Sequence, residues 1–188
     1  NFNNITVSGT AILTASQGLT ISGNVTTDAG TTLHAGDYTH FIAGNLTNNG
    51  IFEGGTQGGA GTIYLNGSLD QTISNSNADP TNHTVNITVD KPAGSVILNS
   101  DITAVNALNM ISGNIILNTH NLILGIDGGG NVGLLTHTSG TIVGSGKFIR
   151  WFTGGIVGSK ADAGLFPLGS PTLYRPLYIS IPVAVAGG

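Results

Sequence analysis

Cysteine is missing from all 188 residues, which excludes a disulfide framework and any thiolate metal site. Charge is nearly as scarce: 5 Lys and Arg stand against 9 Asp and Glu, for a formal net charge of -4. Lys91 is the only basic side chain before Lys147. Binding nucleic acid takes clustered Lys and Arg to displace counterions, so nucleic acid is excluded as a partner. Glu53 is the only glutamate, and the other charged helix formers are equally thin, so long helices are not expected. No apolar run approaches the roughly 18 residues of a membrane helix, and no charged-then-apolar signal opens the chain. Membrane insertion is therefore not expected. The first residue is Asn1 rather than Met, which suggests a processed or excised segment.

What remains is an ordinary apolar share, 39%, set among Ser, Thr, Asn and 30 Gly. Those polar residues hold water without charge and suit strands and turns. Short alternating runs recur, among them Ile5/Val7, Leu19/Ile21, Ile63/Leu65, Ile87/Val89 and Leu122/Leu124, each broken by Gly, Asn or Asp. Alternation punctuated by turn residues predicts short strands.

The asparagines carry a period. Asn4, Asn24, Asn45, Asn66 and Asn86 each open an Asn-x-Ser/Thr triplet, and Asn106 follows in step. The interval is about 20 residues throughout, and Gly23 and Gly44 travel with Asn24 and Asn45. A unit of that size holds two or three strands of about four residues and cannot bury its apolar side alone, whereas stacked copies share one core. The pattern predicts an all-β fold, a right-handed parallel β-solenoid (β-helix) with coils of about 20 residues. At about 4.8 Å per coil, six coils make a column about 29 Å tall. Barrels and sandwiches also use short strands, but they do not require one residue type at every twentieth position.

Residues 1–138 are expected to form the coils, with the polar, turn-rich stretch 69–84 protruding as a loop. Residues 139–188 break the period, with longer strands, the only Trp and four of the five basic residues. They are expected to form a β-rich C-terminal cap or extension, because an open solenoid end exposes core and unpaired backbone. "LTISGNVTT", "AGNLTNNGIFEGG" and "LNMISGNIILNTHNLILG", followed by "GKFIRWF" and "FPLGSPTLYRPLYI", resemble the β-solenoid repeat regions of large secreted surface proteins of Bacteroidota-type bacteria. The resemblance implies a part of a type IX-secreted, adhesin-like protein at the cell surface. The C-terminal sorting domain usual in such proteins is not present in this sequence.

Candidate sites are few. Arg150, Trp151 and Phe152, with Tyr174 and Arg175, combine aromatic faces and guanidinium forks suited to a sugar or another protein. Alternation instead favours a packed strand, with Phe148, Arg150 and Phe152 on one face. Asn4, Asn24, Asn45, Asn66, Asn82 and Asn86 are candidate glycosylation acceptors, although Asn suits turns and stacked ladders equally well. His34 and His40 flank Asp37, and Asp127–Asn131 is shaped like a calcium turn that occurs only once, so no metal or cofactor is expected. "GIFEGGTQGGAG" lacks the Lys-Ser/Thr ending of a phosphate loop.

Parallel β-helices also house polysaccharide enzymes, which need paired carboxylates and, for lyases, a cation on the same face. Asp70 and Asp90, or Asp79 and Asp101, lie about one coil apart, but Lys91 is the only cation along the column. The expected function is a noncatalytic extracellular structural module, a rod of a surface adhesin or a filament subunit stacking end to end. Its expected partners are further copies or neighbouring domains of the same surface protein. Glycan binding, or ice binding through the recurring Thr6, Thr26, Thr47, Ser68 and Thr88, is the alternative. A polysaccharide-active enzyme ranks behind both.

Overall fold

The computed structural model describes residues 1–53, 61–76, 84–126, 132–152 and 164–180. The named elements are all β-strands, and along the column every pairing is parallel. Among the described residues the coils contribute strands to three walls in turn, so the chain is an all-β parallel β-solenoid.

The first wall stacks Ile5–Val7, Val25–Thr27, Leu46–Asn48 and Gln71–Asn75. It continues through the ends of the long strands Thr84–Leu98 and Ile102–Ile116 to Ile142–Val143. The second wall stacks Ile12–Thr14, Thr32–His34 and Ile51–Glu53, and further along Leu122–Leu124 between Ile102–Ala104 and Phe148–Arg150. The third stacks Thr20–Ile21, Thr39–Ile42 and Thr62–Leu65, then the middles of the two long strands, then Leu134–His137. Both long strands thus turn a corner, where the ladder between them shifts register and then resumes.

Alternation decides which side chains fill the column. Ile5, Val25, Leu46, Ile73 and Leu98 succeed one another through the parallel register and are all buried. Ile42, Leu65, Val89 and Met110 form the matching file on the third wall. Each such side chain removed from water contributes about 1.5–3 kcal/mol.

The asparagine period stacks for its first three members only. Asn24 N–H donates to Asn4 Oδ1 (2.7 Å) over 20 residues, and Asn45 N–H to Asn24 Oδ1 (2.8 Å) over 21. The next donor to Asn45 Oδ1 is Thr72, 27 residues on, because that coil is longer. Asn66 instead follows the third-wall strand Thr62–Leu65, and Asn86 lies within that wall between Thr62 and Ala107. The even spacing of the sequence therefore hides a change of wall. Gln71–Asn75, expected within a protruding loop, is a first-wall strand paired on both sides, and 77–83 lie outside the described residues.

The glycines that accompany the asparagines are explained by close approach. A Cβ on Gly44 would lie 2.6 Å from Asn24 Oδ1 and closer still to the Gly23 carbonyl, and one on Gly23 would collide with Asn4 Oδ1. Gly44 has no positive φ, so clearance for the ladder below, rather than a bend, demands glycine there. At the corner between third and first walls, Gly94, Gly113 and Gly140 do adopt φ of 71°, 90° and 93°.

The last coil runs into antiparallel pairs. Ile142 makes a parallel bridge to Leu168, after which Leu165–Phe166 pairs antiparallel with Leu177–Tyr178, and Gly169–Ser170 with Leu173–Tyr174. These elements form a cap on the column.

Candidate functional site

Asp90 and Lys91 sit where the strand Thr84–Leu98 turns from the third wall to the first, and the ladder slips register beside Asp90. Alternation sends them opposite ways: Asp90 is half-buried on the outside, while Lys91 points into the column and is 3% exposed. Lys91 Nζ donates to Gly67 O (2.7 Å) and Gln71 Oε1 (2.6 Å). Gln71 Oε1 also accepts Gly67 N–H (2.8 Å), while its Nε2 donates to Ile42 O (2.8 Å) and Gly44 O (2.6 Å). One buried amide and one buried amine thus tie three successive coils. Burial lowers the Lys91 pKa to about 8, partly opposed by the charge of Asp70.

On the outside, Tyr64 OH donates to Asp90 Oδ2 (2.7 Å). Ser112 Oγ lies 2.9 Å from both Asp90 Oδ1 and Lys91 O, its single proton shared between them. The bond to Asp90 raises the Tyr64 pKa, with burial and the carboxylate's charge adding to it. One coil back along the outer file, the Phe41 ring packs against Tyr64, centroids 4.8 Å apart and planes tilted by 40°. Phe41 is 37% exposed, and Thr88, the next rung beyond Tyr64, is 6% exposed.

The residues expected to form an interaction surface divide into two groups. Arg150 is buried at the end of the second wall, and its guanidinium donates to Leu165 O (2.5 Å). That guanidinium lies 5.1 Å from the Phe152 ring centroid and 5.8 Å from that of Phe166. Phe148 meets Phe166 edge-on at 5.5 Å, so Phe148, Arg150 and Phe152 gather around the first antiparallel strand of the cap. Trp151 is half-buried. Tyr174 is elsewhere, stacked flat on His137 with centroids 5.3 Å apart, and Arg175 beside it is exposed.

The asparagine side chains divide similarly. Asn4 and Asn24 are exposed, Asn45, Asn66 and Asn86 half-buried, and Asn82 lies outside the described residues. Thr6, Thr26 and Thr47 form an outward file that continues to Ser74, whereas Ser68 and Thr88 fall elsewhere. His34 stands on the outside of the second wall. His40 points inward, buried, with Nε2–H donating to Ala35 O (2.7 Å). Burial lowers its pKa, and the bond to Ala35 partly offsets that. Among the described residues no group of three or more His, Asp or Glu is placed to hold a metal ion; Asp79 and residues 127–131 lie outside them.

Sequence reasoning missed Gln71 and Tyr64. The available signal was slight: an isolated Lys in a chain almost free of charge, and a Tyr 26 residues before Asp90. Comparison with protein-family models, with curated proteins and with solved structures finds no match to this chain.

Proposed function

We propose that this chain is a noncatalytic structural module of an extracellular or cell-surface protein, a rod in an adhesin, stalk or fibre. The observation that carries the reading is where the polar side chains spend their hydrogen bonds. Asn4, Asn24, Asn45, Asp70, Asp101, Asn114 and Asn121 each accept a backbone N–H from the following coil. The carboxylates that an enzyme would turn toward a substrate are here inter-coil fasteners, and Lys91 is turned inward and away from Asp90. Such a column resists bending because every coil is bonded to the next through both backbone and side chain.

On this reading the partners are neighbouring modules of the same surface protein or further copies of the chain. The resemblance of the repeats to secreted surface proteins supports the extracellular assignment. The purified protein is expected to scatter as one rigid particle in solution and to leave pectin, alginate and neutral glucans uncleaved. Asp70→Asn and Asp90→Asn variants should change the melting temperature and leave these polysaccharides uncleaved. Polysaccharide cleavage that Asp90→Asn abolishes while the fold survives would refute the proposal.

A further inference from the structure

The outer surface of the third wall carries a feature that a purely mechanical column does not require. Phe41 stands partly exposed on the outer side of its strand, braced from the next coil by Tyr64. Tyr64 is itself locked by its hydroxyl to Asp90, and Asp90 is held a second time by Ser112. We propose that this is a docking platform for a neutral oligosaccharide. Phe41 would serve as the stacking surface and the Tyr64–Asp90 pair as the hydrogen-bonding edge.

The chemistry selects that ligand. A sugar ring offers an apolar C–H face to an aromatic ring and hydroxyl donors at its rim. The Tyr64 proton is committed to Asp90, so Tyr64 Oη and the remaining lone pairs of the carboxylate can only accept. The edge therefore matches hydroxyl donors. An anionic sugar would meet the Asp90 charge, and the adjacent cation, Lys91, is directed into the column.

Size points the same way. The platform covers two coils, about 10 Å, before the buried Thr88 closes it. One partly exposed ring and its polar edge are far less than the roughly 20–30 residues a side of a stable protein partner. Preformed and locked, the pair would lose little conformational freedom on binding.

The test is titration of the intact chain with cellohexaose and laminarihexaose, read by the aromatic NMR signals of Phe41 and Tyr64. An oligogalacturonate of equal length is the anionic control. One or both neutral hexaoses are expected to shift those signals, and the oligogalacturonate to bind more weakly. Phe41→Ala should weaken binding about tenfold, the scale of one lost aromatic contact. Phe41→Trp should retain it, and Thr6→Ala on the first wall should leave it unchanged. Melting curves establish that each variant folds.

Silence of both rings at millimolar neutral hexaose would overturn the proposal. So would undiminished affinity in folded Phe41→Ala, or tighter binding of the anionic control. None of these results bears on the rod reading, which rests on the inter-coil bonds.

Discussion

Lys91 Nζ donates to Gln71 Oε1 at 2.6 Å inside the column, joining two residues 20 apart in sequence and one coil apart in space. The pair is enclosed, yet Lys91 meets only neutral acceptors at hydrogen-bond distance, Gln71 and the Gly67 carbonyl. Its charged form is therefore the costly one, which is why its pKa falls from 10.5 to about 8.

That shift sets a pH dependence of stability. Between about pH 8 and 10.5 the unfolded chain keeps a proton on Lys91 that the folded chain has released. Stability is expected to rise with pH across this window and to be flat in this respect below it. Tyr64, with a raised pKa, works in the opposite sense only above pH 10. Denaturant midpoints from pH 7 to 10 check this. Lys91→Met, which keeps most of the stem, should remove the slope and cost about 1–3 kcal/mol at pH 7 through the lost bonds.

His40 gives the acidic counterpart. Its neutral form, with the proton on Nε2, satisfies Ala35 O, and burial lowers its pKa below 6.5. As pH falls through 6.5 the unfolded chain takes up a proton that the folded chain resists, so stability declines. Melting at pH 7 and pH 5 should show the loss in the parent and a shallower loss in His40→Gln. Equal slopes would show that His40 does not contribute.

The glycine–asparagine pairing yields a contrast between two substitutions. Asn24→Ala removes one exposed acceptor and should cost about 0.5–1.5 kcal/mol. Gly44→Ala, by contrast, places a Cβ against the Gly23 backbone and 2.6 Å from Asn24 Oδ1. It should cost more than Asn24→Ala, because two adjacent coils must move apart. Urea unfolding of the two variants ranks them directly.

Much of the fold was legible in the alternation. Ile5/Val7, Ile63/Leu65 and Ile87/Val89 are buried pairs, as a period of two predicts, and the first asparagines mark true rungs. The candidate site was not legible. Tyr64, Asp90 and Ser112 are 26 and 22 residues apart, and no local pattern relates them. Their meeting depends on how many residues each coil takes, and that number changes without any change in strand character.

The stretch 42–53 shows where the division falls. Sequence by itself determined that it holds a rung and a turn, because Gly44, Asn45 and Leu46 fit a repeating, half-buried strand and little else. Only the tertiary structure decided that Asn45 stacks on Asn24 and beneath Thr72 rather than Asn66. The reason is physical. A parallel ladder fixes the spacing between neighbouring strands but leaves the corners free in length, so register belongs to the stack and not to the count along the chain.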